Sequence, residues 1–316
     1  MIKFLLRRFL GGLGVLLMTS FLSFTLIYLA PGEPAEVILV QRLGRIPTTA
    51  ETNRLAAEYG FDRPPLIQYL DWTSHALRGD FGNSLRSGAP VLEELRPRII
   101  PTLLLAGATT LFTILFGIPI GLLAVLQEKG FGDKFSRFFS LVGVSIPDFW
   151  LAFVLILIFS VYLRWLPTHG LENPQDLILP VISLGVANVA RLSRLVRSQL
   201  LDTKYQDYLR TARAKGLPEW LVWFRHALPN GLIPLVTLAV NQFSAIVSGS
   251  VVIETLFALP GIGQFYVTAV RYNDIPVIQA TVLLISTTFI VINLFTDLAY
   301  KLIDPRLRES QHYENL

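Results

Sequence analysis

The sequence predicts an all-α membrane protein with six transmembrane helices, N and C termini in the cytoplasm, and a helical extracytoplasmic segment between helices 1 and 2. Three observations predict it: the composition, the length of the apolar stretches, and the placement of basic residues between them. Hydrophobic residues make up 52% of the 316 and charged residues only 16%, against about 25% charged in an ordinary soluble domain. One soluble core of this length needs no such apolar surface; a bilayer does. The absence of cysteine removes disulfide frameworks, thiolate metal sites and cysteine nucleophiles together. The net charge of +4 resides in short basic blocks at the ends of apolar segments. That pattern orients a membrane protein rather than binding nucleic acid.

A helix needs about 20 apolar residues to cross the hydrocarbon. The first span is Phe9 to Ala30, behind Lys3, Arg7 and Arg8. It exceeds the apolar core of a signal peptide, and Tyr28-Leu29-Ala30 is a poor cleavage site, so the helix is read as retained. Residues 31–101 mix both charges with Pro and Gly, and Leu66, Tyr69, Leu70, Ala76 and Leu77 recur at helical spacing after Pro64-Pro65. This predicts a short amphipathic helix inside an ordered extramembrane element. The remaining spans are Thr102–Leu126, Phe138–Leu163, Leu177–Ala190, Gly231–Ile253 and Ala280–Leu298. The fourth, with only 14 uncharged residues before Arg191, is ambiguous by length.

Loop charge resolves it. Basic residues concentrate at the N-terminus, in 127–137, in 191–225 and after Lys301, whereas 163–176 and 254–279 carry one arginine each. The positive-inside rule then places both termini in the cytoplasm, which requires an even number of spans. The long 31–101 loop lies outside. The organisation is therefore 1–30, first helix; 31–101, extracytoplasmic segment; 102–302, transmembrane domain with helices 2–6; 303–316, cytoplasmic tail.

No enzyme signature is present: His75, His169, His226 and His312 are scattered, and no glycine-rich phosphate loop exists. The most informative stretch is 205–229, YQDYLRTARAKGLPEWLVWFRHALP. A basic amphipathic helix breaks at Gly216-Leu217-Pro218 and a second begins near Glu219. Gly accepts positive φ and Pro cannot continue the first helix, so the break is a corner. A helix–turn–helix of this kind is shaped either to press into another protein or simply to face water.

This segment resembles the coupling loop of binding-protein-dependent ABC importer permeases, written Glu-Ala-Ala, three residues, Gly, nine residues, Ile-x-Leu-Pro. Ala212, Gly216, Leu228 and Pro229 match in register, while Arg210, Thr211 and His226 depart from it. The resemblance extends to the dipeptide/oligopeptide/nickel permease branch. It is carried by Tyr59-Gly60-Phe61-Asp62-Arg63-Pro64, Gly79-Asp80-Phe81-Gly82-Asn83-Ser84, Ser145-Ile146-Pro147, Trp165-Leu166-Pro167, Leu259-Pro260-Gly261-Ile262-Gly263 and Asp304-Pro305-Arg306. It implies a type I ABC importer permease fold in the bacterial inner membrane. It also implies a second homologous permease, two cytoplasmic ATP-binding subunits holding ATP and Mg, an extracytoplasmic solute-binding protein, and no cofactor in this chain. Solutes in this branch include di- and oligopeptides, glutathione, opines, nickel and metal chelates.

Ionisable groups inside a span cost several kcal/mol unless hydrated or paired. Asp148, Arg191 and Glu254 are therefore candidates for the pathway or its gate, and Asp297 for a relay. Asn241 and Gln242, with Ser244, Ser248 and Ser250, make the fifth span the most polar and a candidate pathway wall. Arg194 and Arg197 are expected to snorkel to headgroups, and Gly117/Gly121 to permit close helix packing. A proton-coupled secondary transporter using Asp148, Glu254 or Asp297 is the competing reading; a membrane-embedded enzyme would show convergent catalytic residues.

Overall fold

The computed structural model describes the backbone of residues 2–29 and 33–303, and their side chains except at 2–5, 26–29, 41–42, 229–237 and 297–303. Asp304-Pro305-Arg306 and the rest of the tail lie outside the described residues, as do the side chains of Pro229, Pro234 and Asp297. The helices in chain order are α1 (Ile2–Leu29), α2 (Pro34–Leu43), α3 (Thr49–Tyr59), α4 (Pro65–Ala76), α5 (Val91–Leu126), α6 (Phe131–Ser145), α7 (Asp148–Leu155), α8 (Ile178–Thr203), α9 (Asp207–Ala214), α10 (Glu219–Leu221), α11 (Leu228–Gly249), α12 (Val251–Leu256), α13 (Ile262–Arg271) and α14 (Ile275–Ile303). Among the described residues there is no β-strand, only an isolated bridge between Asn83 and Pro90. The chain divides into two compact units, Met1–Thr102 with Pro260–Ile290, and Leu103–Leu259 with Val291–Leu316.

In the first unit, the segment between the first two spans is helical, and its punctuation explains why. Gly44 and Gly60, at φ 64° and 71°, close α2 and α3 in the left-handed region. Thr48 and Glu51 form a reciprocal capping box at the start of α3. The amphipathic helix expected after Pro64-Pro65 is α4. Ala35, Ile38, Leu55 and Leu85 form one small core; Val91 and Leu95 of α5 join Ala269, Val277 and Ala280 in another. The carboxylate of Asp274, 2% exposed, accepts hydrogen bonds from Ser84 Oγ and from the backbone N–H groups of Leu85 and Arg86, closing the 82–90 loop.

The second unit is built around α8. Small residues let neighbours approach it: a Cβ on Gly121 of α5 would sit 2.6 Å from the Ser193 carbonyl oxygen, and one on Gly143 of α6 would sit 2.9 Å from Ala190 Cβ. The Gly117/Gly121 pair thus serves packing within this chain. Asp133 at the start of α6 is buried and ion-paired to Arg197 of α8 at 2.6 Å and to Arg137 at 2.9 Å. Arg197, expected to reach towards headgroups, is held by an acid on the neighbouring helix.

Several predicted spans need correction. Four helices among the described residues are long and apolar enough to cross a membrane, lying at Leu6–Thr25, Val91–Leu126, Pro174–Thr203 and Ile275–Thr296. The second begins eleven residues before the expected Thr102 and runs through Pro97 and Pro101. The fourth extends past Arg191 to Thr203, so its ambiguity reflected charge on its later turns, not shortness. The third span, expected as Phe138–Leu163, is two helices, α6 and α7, bent by 98° at Ile146-Pro147. A proline excludes its predecessor from the α region, and Ile146 sits at φ −86°, ψ 123°. Because α6 starts at Phe131, Lys134 and Arg137 lie on a helix rather than in a loop. The fifth, α11, has 22 residues and ends at Gly249, leaving Glu254 on the separate α12.

Candidate functional site

The Ile146-Pro147 break determines where Asp148 goes. Pro147, at φ −64° and ψ 138°, restarts the chain as α7, with Asp148 as its first residue. There Asp148 lines an open cleft of about 290 Å³ together with Asn188 and Arg191 of α8 and Asn241 and Gln242 of α11. Leu184 and Ile246 supply apolar wall. Four of the five residues expected at a pathway or gate, distant in sequence, share this one cavity.

Hydrogen bonds orient its polar groups. Arg191 Nη1 donates to Asn188 Oδ1 at 2.9 Å, and Asn188 Nδ2 donates to the Leu184 carbonyl at 2.9 Å. Gln242 Nε2 donates to the Asn188 carbonyl at 3.4 Å, while its Oε1 is buried with no hydrogen-bond partner among the described residues. Asp148 makes no ion pair within 4.0 Å among the described residues but lies within electrostatic range of Arg191. The cleft thus presents a guanidinium, a carboxylate and an unsatisfied amide oxygen, a set suited to a polar solute carrying both donors and acceptors. Asn188 was missed by the sequence reading, although its i, i+3 spacing to Arg191 places the two side by side.

Glu254, the fifth candidate, is not a lining residue. It is buried, accepts a hydrogen bond from Ser250 Oγ at 2.8 Å, and its backbone carbonyl accepts from Leu259 N at 2.8 Å. These contacts hold the turn leading to Leu259-Pro260.

The second element is the corner between α9 and α10. Helix α9 ends at Ala214, and Gly216 takes φ 74° before Pro218 caps the start of α10. After Leu221 the chain winds as a π-helical turn over Val222–Ala227 into α11, where Leu228 and Pro229 follow. The inner face is anchored: Leu209 and Ala212 are buried in a cluster with Val222, Trp223, Ala227 and Leu200. Arg210, Thr211 and Gly216 are exposed on the outer side, with Tyr208 and Lys215 beside them.

Arg213, which the sequence reading did not single out, braces the corner. Its Nε donates to Glu219 Oε1 at 2.7 Å, its Nη1 donates to the Lys204 carbonyl at 3.1 Å, and its guanidinium lies 5.8 Å from the Trp223 ring centre. Just before it, Lys204 Nζ donates to Glu128 at the end of α5. That bond holds the Glu128 carboxyl below its ordinary range and the Lys204 amine above its own.

An all-helical membrane domain, a polar cleft between its helices and an anchored corner with an exposed outer face define a transport permease. Residues 117–309 match the family described as binding-protein-dependent transport system inner membrane component, and residues 1–106 match the N-terminal segment of such components. The chain is 39% identical over 308 residues to the glutathione transport system permease protein GsiC of Salmonella typhimurium, covering 98% of this chain and 99% of that one. It is 37% identical over 313 residues to the probable peptide ABC transporter permease protein y4tP of Sinorhizobium fredii, covering 96% and 99%. In fold it resembles the MetNI methionine ABC transporter in an inward-facing conformation, with a TM-score of 0.55 at 21% identity, over 66% of this chain and 96% of that one.

The chain belongs to the binding-protein-dependent transport system inner membrane components, and is an integral membrane permease subunit of an ABC transporter of the peptide branch.

Proposed function

We propose that the chain forms one half of a solute pathway for peptides or glutathione-like molecules, with the cleft of Asp148, Asn188, Arg191 and Gln242 as its wall. The observation that carries this reading is that one cavity gathers a carboxylate, a guanidinium and an unpartnered amide oxygen from three helices. Molecules with an ammonium at one point and a carboxylate at another are complementary to Asp148 and Arg191, and the similarity to a glutathione permease and a probable peptide permease supports the same class of solute. Six spans with cytoplasmic termini complete the arrangement: the four long helices, the bent α6–α7 pair and α11. A second homologous permease supplies the opposite wall, and an extracytoplasmic solute-binding protein delivers the solute.

The exposed side of α9 and the Gly216 corner, with Arg210 and Thr211 at its surface, seats on one of two ATP-binding subunits, where ATP and Mg are held. The anchored inner face supports the role: a lever transmits force only if it is fixed to the body that must move. The test is uptake of labelled glutathione and of a dipeptide into vesicles carrying the permease pair, the ATP-binding subunits and the solute-binding protein. Uptake is expected to require ATP, to survive collapse of the proton gradient, and to fall in Asp148→Asn and Arg191→Gln. Uptake without ATP that disappears with the proton gradient overturns the reading in favour of a proton-coupled transporter.

A further inference from the structure

Asn188 is an unusual residue for its position. It lies near the middle of α8, between Val186-Ala187 and Val189-Ala190, and is 7% exposed. Asn is a poor residue for a helix interior because its amide competes for nearby backbone groups, and a buried amide is costly unless its donors and acceptor are matched. Here both ends are matched. Nδ2 donates to the Leu184 carbonyl, one turn back, at 2.9 Å, and Oδ1 accepts from Arg191 Nη1, one turn on, at 2.9 Å. The first bond decides which way the amide faces: with Nδ2 turned back along the helix, the oxygen is left facing Arg191. The backbone carbonyl of the same residue accepts from Gln242 Nε2 of α11 at 3.4 Å.

Arg191 is exposed and lines the cleft. An arginine left to itself samples many rotamers, and a ligand that binds it must offset the cost of ordering it. The bond to Asn188 removes part of that cost in advance. It also leaves the edge formed by Nε–H and Nη2–H without a hydrogen bond among the described residues. Two parallel donors of this kind match the two oxygens of a carboxylate. The holder, moreover, is neutral. An acid at position 188 would pair with the guanidinium and cancel the charge that a solute has to find, whereas an amide fixes the side chain and leaves its charge. Asp148 shares the cleft but lies beyond ion-pair distance of Arg191.

We propose that Asn188 is a positioning residue: it holds Arg191 ready for the free carboxylate of the solute, and so makes the cleft discriminate between a peptide acid and the corresponding amide. The proposal rests on the reading of this cleft as the pathway wall and adds to it the residue that sets its selectivity.

The probes are labelled alanyl-alanine and its C-terminal amide, which differ only in whether that terminus is a carboxylate. Binding of each is measured by equilibrium dialysis against the permease assembled with its partner permease and ATP-binding subunits. The solute-binding protein is left out, because its own affinity would mask that of the cleft. Wild type is expected to bind the acid roughly tenfold or more tighter than the amide, since hydrogen bonds to charged groups are the stronger kind. Asn188→Leu, which frees Arg191, is expected to weaken the acid about threefold to tenfold, the cost of ordering one long side chain, and to leave the amide unchanged. Asn188→Asp keeps an acceptor in place but cancels the charge. It is expected to reduce the preference further, and it carries the test should Asn188→Leu fail to assemble. In an Arg191→Gln background neither substitution should alter the acid-to-amide ratio. If Arg191→Gln abolishes the preference but both Asn188 variants keep the wild-type ratio, or lose both probes equally, the proposal is overturned and the pathway reading stands. If Arg191→Gln itself keeps the wild-type ratio, the pathway reading is wrong and the proposal falls with it.

Discussion

Gly216→Val isolates the corner between α9 and α10 from every other property of the permease. Gly216 holds φ 74°, and a Cβ built on it would meet nothing within 4 Å. No clash and no lost contact accompany the substitution; what remains is the left-handed backbone. An L-residue there costs about 1–2 kcal/mol, and a β-branched side chain, a true outlier in this region, belongs at the upper end. That energy lowers the population of the native corner against its alternatives by a factor of about 5–30. Gly44 is a matched control: φ is 64° and its Cβ would also meet nothing within 4 Å, but it closes α2 in the other compact unit. The assay is solute uptake per ATP hydrolysed by the complete transporter in vesicles. Gly216→Val is expected to lower that ratio roughly fivefold or more, Gly216→Ala to fall between it and wild type, and Gly44→Val to leave the ratio unchanged. An unaltered ratio in Gly216→Val, or an equal loss in Gly44→Val, refutes the assignment of this corner to coupling.

Two further predictions concern the charged ties of the same unit. Asp133→Asn removes the acid from a carboxylate 2% exposed that pairs with Arg197 and Arg137. Breaking a buried pair costs on the order of 3–5 kcal/mol, and because Arg197 keeps some water access the lower end is expected, read as a reduced thermal midpoint in detergent. A midpoint equal to wild type contradicts the packing of α6 on α8 described above. For Glu128, the Lys204 hydrogen bond depresses the carboxyl. Its contribution is therefore complete above the ordinary carboxylate pKa and lost as pH falls through the depressed value. Lys204, raised by the same bond, keeps its contribution below the ordinary lysine value and loses it only as pH rises through the raised one. Glu128→Gln should be less stable than wild type at neutral pH, with the two converging in acid; a constant gap across that range removes the ion pair from the account.

The sequence was most legible where one property acts locally. Hydrophobic length found α1, α5, α8 and α14, and turn chemistry found α4 and the Gly216 corner. It was least legible where two distant segments meet. Asp133 reads as one acid in a basic loop until α6 begins at Phe131 and places it against Arg197, 64 residues on. Proline has two outcomes that hydropathy does not distinguish: Pro119 and Pro180 lie within continuous helices, but Pro147 follows a 98° turn of the chain. Asp148 reads from the sequence as a candidate for a polar interior, yet its meeting with Arg191 and Gln242 in one cleft depends on that turn and on the packing of α11 against α8. Glu254 shows the converse: a buried acid that meets Ser250 and the following turn rather than the cleft, a placement that the sequence around it does not reveal.

These ties make α8 the element on which the proposed coupling depends. Arg191 in the cleft and Leu200 in the cluster beneath α9 are nine residues apart on this one helix, about 13.5 Å at 1.5 Å per residue. Between them Arg197 fixes α8 to α6 through Asp133, and beyond them Lys204 fixes its end to Glu128. Arg213 then joins α9, the Lys204 carbonyl and Glu219 across the corner. Between Leu209 and Arg191 the described contacts are the buried apolar cluster, the Arg197–Asp133 ion pair and the hydrogen bond from Arg213 to the Lys204 carbonyl, a set of ties through which a push on the outer face of α9 reaches α8. On the proposed function, the polar residues of the cleft and the exposed residues of the corner are joined through α8, so displacing the corner is expected to move Arg191 with it.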